Sequence, residues 1–320
     1  MIELKNVTKK YHDITALKNF TLQIPEGVLL VLLGPSGCGK STVIKLINHL
    51  TEPTSGEIYI NNKNINEINI INLRRSIGYV IQSIGLFPHY NVYENIIIVP
   101  RLLKWSKKDI DHRVDFLLDL VRLNRNYKNK FPFELSGGEG QRVGVARALA
   151  ADPPILLMDE PFGSVDPLNR ERLQKEFYKI QRELKKTVLF VTHDVEEAIR
   201  LADNIAVMKP GELASLGSPW DFVTDHREEY VKEFLGGEYA LKLLTRFMVQ
   251  DIMEQKNIKN KEYTRGRVLQ VKKENTVSSA LALMISKGID FLGVVDEQEK
   301  VVGSITFEDI LKNVFRGARK

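Results

Sequence analysis

The stretch Val28-Leu29-Leu30-Val31-Leu32-Leu33-Gly34-Pro35-Ser36-Gly37-Cys38-Gly39-Lys40-Ser41-Thr42 decides how the rest of the chain is read. Six apolar residues between two glycines spell a strand buried on both faces. The run stops at Gly34-Pro35, and Gly34 to Ser41 fits G-x-x-x-x-G-K-[ST]. Beyond Lys40, the spacing of Val43, Ile44, Leu46 and Ile47 predicts a helix with one apolar face. Strand, glycine-rich turn and helix make a phosphate cradle, in which backbone N–H groups curl round the anion and the helix N-terminus adds partial positive charge. On this pattern Lys40 reaches the β- and γ-phosphates and the Ser41 hydroxyl ligates magnesium.

Working outward, three more apolar segments end in polar residues. Ile77-Gly78-Tyr79-Val80-Ile81 predicts a strand ending at Gln82. Ile155-Leu156-Leu157-Met158 ends in Asp159 and Glu160, which suit a metal ligand and a water-polarising base. Val188-Leu189-Phe190-Val191-Thr192 ends at His193-Asp194. Ligands of an open parallel sheet gather outside the carboxyl ends of its strands, and Gly34, Gln82, Asp159 and His193 all come directly after such ends. Leu135-Ser136-Gly137-Gly138-Glu139-Gly140-Gln141-Arg142, ahead of a helix predicted over Val143 to Ala151, offers a second backbone anion cradle. Taken singly, each has an ordinary counterpart: a helix N-cap with flexible glycines, or a solvated strand end. Tyr11, an aromatic in a polar segment upstream of the loop, means nothing alone.

Elsewhere the pattern is plainer. Ile2, Leu4 and Val7, then Ala16 to Ile24 at the strand period, predict strands and turns up to Pro25. Ser55 to Ile60 and the Asn-rich segment 61–72 predict a hairpin and turn, and Val92 to about Tyr127 is mostly helical. A length of 320 residues fits two domains, and 43% hydrophobic with 27% charged residues fits a globular protein with a sizeable core. No apolar run approaches the roughly 18 residues of a membrane-spanning helix. The start, Met1-Ile2-Glu3-Leu4-Lys5, lacks a signal-peptide layout. Cys38 is the single cysteine, which excludes an intramolecular disulfide framework, and a cytosolic protein is expected.

These segments, with Gly163-Ser164-Val165-Asp166 as a sixth, resemble in order and spacing the nucleotide-binding domain of an ABC transporter over about residues 1 to 240. The resemblance makes Gly34 to Thr42 the Walker A motif, Gln82 the Q-loop, Leu135 to Gln141 the signature and Ile155 to Glu160 Walker B. Gly163-Ser164-Val165-Asp166 matches the D-loop and His193 the switch histidine. It implies an α/β P-loop NTPase fold: a parallel core sheet with helices, an antiparallel β subdomain and a helical subdomain. The wording Ile77 to Gln82, Gly85-Leu86-Phe87-Pro88-His89 and Asp159-Glu160-Pro161-Phe162-Gly163 is similar to importer ATPases for osmoprotectants such as glycine betaine, carnitine and choline. Amino-acid and sulfonate importers share much of it. One departure stands out: where the family signature continues with Gln, this chain has Glu139 and then Gly140, which puts nucleotide affinity in question.

What the resemblance implies for mechanism is ATP hydrolysis in a head-to-tail homodimer, each Walker A facing the partner's Ser136-Gly137-Gly138. Tyr11 would stack on adenine. Gly34, Pro35, Ser36, Gly37, Cys38, Gly39, Lys40, Ser41 and Thr42, with Asp166, would line the nucleotide. Ser41, Gln82 and Asp159 would organise Mg2+; Glu160 would polarise water and His193 would sense the γ-phosphate, with Lys40 and Gln82 completing the catalytic set. Integral membrane permease subunits would dock on Leu86 to Ile98, at the cytoplasmic face of the membrane, with an extracellular or periplasmic substrate-binding protein acting indirectly. No nucleic-acid partner is expected. The rivals are a soluble non-transport ABC ATPase, which would carry coiled-coil insertions or tandem cassettes, and a ligand-binding regulator with a degenerate ATPase.

A boundary is expected at Gly236-Gly237, giving domains 1–240 and 241–320. The second reads as Val249 to Met253, a strand Val268 to Val271, a helix from Thr276-Val277 through Ser286, strands Phe291 to Val295 and Val301 to Ile305, and a helix from about Glu308 to Phe315. This small α+β layout resembles a single CBS motif. The resemblance makes Gly303, Thr306 and Asp309 a ribose- and phosphate-holding element, against the alternative of an interaction module without a ligand. Since such motifs work in pairs, the partner would be the copy in a second chain. Residues 241–320 hold 15 Lys and Arg against 10 Asp and Glu, which is the chain's whole excess of +5. Lys256, Lys259, Lys261, Arg265, Arg267, Lys272 and Lys273 concentrate it. A regulatory nucleotide, an anionic lipid or a merely solvated face are the alternatives.

Overall fold

Two kinds of apolar pattern build two kinds of sheet in residues Met1–Ser218, the first of the two compact units into which the chain divides. The strands, in chain order, are β1 (Ile2–Tyr11), β2 (Ile14–Ile24), β3 (Leu29–Leu33), β4 (Ser55–Ile60), β5 (Lys63–Asn64), β6 (Ile77–Val80), β7 (Ile155–Asp159), β8 (Thr187–Thr192), β9 (Asn204–Lys209) and β10 (Glu212–Gly217). The computed structural model describes residues 1–82, 85–163, 165, 167–224, 228–254 and 269–315.

Alternating strands make an antiparallel sheet in the order β2-β1-β4-β5, with Ile2, Leu4, Leu22 and Ile24 turned inward. Continuous apolar runs make the other sheet, ordered β10-β9-β3-β8-β7-β6. From β9 to β6 every pairing is parallel, and only β10 runs antiparallel, on β9. Every residue of β3, β7 and β8 is buried, as a strand covered on both faces requires. Each such Leu, Ile or Val contributes about 1.5–3 kcal/mol relative to exposure. One core cluster joins both sheets to the helix Lys40–Ile47, whose Val43, Ile44, Leu46 and Ile47 are the buried face predicted from spacing. Phe162, Phe177 and Phe190 pack with ring centroids 5.7–6.3 Å apart against the other side of β8.

Helices fill the stretch between β6 and β7. Val92–Leu102 starts at a capping box of Asn91 and Glu94, Lys107–Leu120 starts at Ser106, and Gly137–Leu149 starts at Ser136. Two of these details differ from expectation. The last helix begins six residues before Val143, because a capping box fixes the glycine segment itself as the first turn. Upstream, β5 does close a hairpin on β4, but Ile70–Arg75 is helical rather than turn. Asn69 is its cap, its side-chain oxygen accepting from the N–H groups of Ile71 and Asn72.

The second unit is Pro219–Lys320, so the contact division falls upstream of Gly236-Gly237. The Tyr239 hydroxyl donates to the Pro219 carbonyl at 2.8 Å and Trp220 meets Phe247 edge-on, so this segment packs with the residues C-terminal to it. Strands β11 (Gln270–Lys272), β12 (Phe291–Val295) and β13 (Val301–Thr306) form a sheet in that order. β11 and β12 are parallel, crossed over by the helix Val277–Lys287, and β12 and β13 are antiparallel. Thr276 caps that helix and Gly288, at φ 63°, ends it. Leu244, Val249, Val277, Met284, Leu292 and Ile305 form the separate core of this unit.

Candidate functional site

The site grows from the carboxyl ends of adjacent parallel strands. β8 lies between β3 and β7, so the glycine loop after β3 and the acids after β7 flank the histidine after β8. In register, Leu33 pairs with Thr192 and Asp159 with Val191, which brings the three ends level.

The loop 34–39 is held open by its backbone. Gly39 has φ 113°, and a Cβ there would lie 2.6 Å from the Ala16 carbonyl, so only glycine fits. That contact also brings the β1–β2 hairpin, which carries Tyr11, against the loop. Tyr11 is 40% exposed, with the Lys9 ammonium 4.8 Å from its ring centre. The helix Lys40–Ile47 has no side-chain cap and no acid in its first turn, which leaves its positive end open. Lys40 is buried, and its Nζ donates to the carbonyls of Gly34 (2.7 Å) and Pro35 (2.8 Å). Cys38 is buried too, and its burial pushes the thiol pKa up.

Oxygen donors converge beside the loop. The Ser41 hydroxyl donates to Asp159 Oδ1 at 3.1 Å. Burial raises the Asp159 pKa above the usual carboxylate range; Ser41 opposes this and the neighbouring Glu160 charge adds to it. Tyr79 is pushed to about 12 by burial and by Asp159.

Glu160 takes two partners. Its Oε2 accepts from Gln82 Nε2 at 3.1 Å, and its Oε1 lies 3.1 Å from His193 Nδ1. The residue holds φ 44°, a left-handed conformation strained for a side chain with a Cβ, with its N–H on the Val191 carbonyl at 3.0 Å. One carboxylate therefore joins the ends of β6, β7 and β8.

Ser136, Gly137 and Gly138 stand elsewhere. Among the described residues, the cavity of about 380 Å³ against Ser136 and Gly138 is lined by Arg122, Tyr127, Glu139, Arg142 and Arg172 among others, and by none of Gly34 to Thr42. Glu139 Oε2 accepts the Ser136 N–H at 2.8 Å, while Ser136 Oγ accepts the Glu139 N–H at 3.4 Å. Oε1 accepts the Tyr127 hydroxyl at 2.6 Å, and that bond leads the lowering of the Glu139 pKa. Asp166 and Ser164 lie outside the described residues, as do Lys256, Lys259, Lys261, Arg265 and Arg267. In the second unit, Asp309 Oδ2 accepts from both the N–H (2.8 Å) and the hydroxyl (2.7 Å) of Thr306. With the Asp309 N–H on the Thr306 hydroxyl at 3.0 Å, this pair caps the last helix.

Sequence reasoning missed Asn95 and Tyr127. Asn95 is fully buried; its amide donates to the carbonyls of Phe87, Tyr90 and Asn91 and its oxygen accepts the Phe87 N–H at 2.8 Å. It holds residues 87–91 in shape, and Arg147 bonds to the Gly85 carbonyl at 2.7 Å. The place of Asn95 directly before the apolar run Ile96 to Val99 was the available signal.

Comparison with known proteins identifies the family and the fold. A family model described as ABC transporter matches residues 17–163, and one for the CBS domain matches 261–316. The chain is 44% identical over 315 residues to the glycine betaine/carnitine/choline transport ATP-binding protein OpuCA of Bacillus subtilis, covering 98% of this chain and 80% of that protein. It is 43% identical over 311 residues to the osmoprotectant import ATP-binding protein OsmV of Salmonella typhimurium, covering 95% and 79%. A dimeric bacterial ABC transporter cassette matches in structure with a TM-score of 0.62 and 39% identity, over 68% of this chain and 98% of that one. Among the described residues, no helix is long and apolar enough to cross a membrane.

Proposed function

This chain belongs to the ABC transporter ATP-binding proteins, and from that premise we propose that it hydrolyses ATP to drive import of a quaternary-amine osmoprotectant through separate permease subunits. The observation that carries the reading is the bond of Glu160 to both Gln82 and His193, beside the Ser41–Asp159 pair. A water-polarising base, a magnesium ligand and a γ-phosphate contact need to sit this close.

The residues divide the work between them. Tyr11 stacks on the base, and Gly34 to Thr42 line the phosphates, which the backbone N–H groups of Ser36 to Thr42 and the open helix end hold. Lys40 exchanges the Gly34 and Pro35 carbonyls for phosphate oxygens. Ser41, Asp159 and Gln82 offer hydroxyl, carboxylate and amide oxygen, a hard donor set that fits Mg2+. No cluster of three or more His, Cys, Asp or Glu side chains accompanies them among the described residues. Ser41, Asp159 and Gln82 would hold the ion without such a cluster. The ion supplies charge neutralisation to the transferring phosphoryl group. Glu160 orients and deprotonates the attacking water, and His193 contacts the γ-phosphate. Ser136, Gly137 and Gly138, remote from the chain's own loop, complete the site of a second copy, with Asp166 at the shared seam.

Permease subunits dock on Leu86 to Ile98, the segment that Asn95 holds in shape, so the chain works at the cytoplasmic face of the membrane. A substrate-binding protein on the other side acts indirectly. Residues 1–240 are the hydrolytic module and 241–320 the regulatory one, responsive to a nucleotide or to anionic lipid.

Glu160→Gln tests the assignment. It should lower turnover about 10²-fold or more while ATP binding, read by fluorescent-nucleotide titration, stays within a few-fold. Near-normal turnover removes Glu160 from this role.

A further inference from the structure

His193 works from an open position: its side chain is 56% exposed, and its Nδ1 meets Glu160 Oε1 at 3.1 Å. A ring with so little packed around it is aimed by its backbone. One hydroxyl holds that backbone from both sides. Thr192 Oγ1, before the histidine, accepts the N–H of Asp194, after it, at 3.0 Å. The same hydroxyl donates to Glu197 Oε2 at 2.6 Å, and Glu197 Oε1 accepts from Gln174 Nε2 at 2.9 Å. Thr192, Glu197 and Gln174 are all buried. Gln174 belongs to the helix Pro167–Leu184 and Glu197 to the helix Val195–Leu201, which Asp194 caps by accepting the N–H groups of Glu196 and Glu197. Burial pushes the Glu197 pKa up; the Thr192 bond opposes this, the Asp194 charge adds to it, and the Gln174 bond opposes it again. The hydrolysis proposed for this chain gives that carboxylate no task.

We propose that Glu197 is a positioning residue: through the Thr192 hydroxyl it sets the backbone on which His193 stands, and so aims the imidazole at Glu160 and the γ-phosphate. The inference rests on the role of His193 in the proposed hydrolysis. A hydroxyl has one proton and can turn it to any acceptor in reach. While Glu197 takes that proton, the lone pairs of Oγ1 stay turned to the Asp194 N–H, and the turn Thr192-His193-Asp194 is closed. Without Glu197 the hydroxyl is free to rotate, and the turn loses the bond that fixes its centre. A misplacement of ~1 Å near the reacting atoms can cost about 10²-fold in rate, so a small loosening of this turn is enough to matter. Gln174 adds a second reference, since it ties the carboxylate to another helix, and Arg200 holds Gln174 Oε1 at 3.4 Å. The histidine is thereby registered against the helix Pro167–Leu184 as well as against its own strand, β8.

Two near-isosteric variants of the full chain test this. Glu197→Gln keeps the volume but faces two partners with one oxygen, and Thr192→Val deletes the hydroxyl. Each should lower kcat for ATP about tenfold while nucleotide affinity, read by fluorescent-nucleotide titration, stays within about twofold. The second readout is the ring signal of His193 in magnetic resonance spectra of protein carrying isotope-labelled histidine, assigned as the signal that His193→Ala removes. It should shift in both variants, with the signals of the other histidines in place. A bond that merely holds the fold would lower the melting midpoint and nucleotide affinity together and leave the His193 signal where it was. An unmoved signal, an unchanged kcat, or an affinity that falls as far as kcat overturns the positioning role. Either variant carries the test if the other fails to fold, and failure of both marks a structural bond only, which overturns it too. Turnover at the parental rate in His193→Ala is a different failure: it takes the histidine out of the proposed hydrolysis, and the inference falls with that reading.

Discussion

Two glycine-rich turns open helices in this chain, and they are built in opposite ways. At Gly39-Lys40 the helix end has no cap and no acid in its first turn, and a buried ammonium waits beside it. At Ser136-Gly137 the end carries a full capping box with a carboxylate inside. The paired acids repeat the contrast, since Asp159 is held above its ordinary pKa by burial, whereas Glu139 is held below its own by hydrogen bonds. The lesson is that one region keeps an electrostatic demand unmet and the other has met it locally. An unmet demand is what a ligand answers.

The largest effect should come from cutting the cation out of the open region. Lys40→Ala removes a charge bound to two loop carbonyls and should weaken ATP binding about 10²-fold, measured by fluorescent-nucleotide titration. Unchanged affinity would erase the contrast between the two turns.

Asp159→Asn should sharpen it through pH. Because the folded-state pKa of Asp159 is raised, the folded chain holds that proton more tightly than the unfolded one. This group's stabilisation is present below the unfolded value and lost as pH rises through the raised one. At pH 8 the ionised carboxylate is therefore a liability, and the Asn variant should melt about 2 °C or more above the parent without Mg2+. The gap should narrow as pH falls, and Mg2+ should stabilise only the parent. A variant that melts lower at pH 8 contradicts the unmet charge.

The smallest effect belongs to the closed region. Ser136→Ala loses one arm of the capping box, about 1 kcal/mol, and should lower the melting midpoint by about 2–4 °C. ATP binding to the chain's own loop should be untouched. A loss of that binding would mean the two turns are not independent within one chain.

These contrasts were unevenly legible. Unbroken apolar runs announced β3, β7 and β8, because strands covered on both faces leave no polar position to confuse the period. Gly34 and Asp159 were legible for the same reason, each being the first polar or flexible residue after such a run, and His193 follows its run after the single Thr192. What the sequence could not show were bonds between residues far apart in the chain. Tyr127 stands 12 positions before Glu139, and nothing local marks it as the group that holds the carboxylate. Gln82 and Glu160 are 78 positions apart. The helix Ile70–Arg75 was hidden because asparagine favours turns and caps equally, and only the backbone around Asn69 chooses. Residues 219–240 read as the tail of the first unit, yet the Tyr239 hydroxyl bonds to the Pro219 carbonyl and Trp220 packs against the core of the second.

The carboxylate shared by Gln82 and His193 has one more consequence, which is a matter of symmetry in cause and effect. Two groups on one acceptor influence each other through it, and equilibrium linkage makes that influence mutual. Any displacement of the Gln82 side chain alters the hold on the imidazole. Engaging the imidazole then alters the hold on Gln82 by the same free energy. A single carboxylate thus makes the ends of two strands answer to one another.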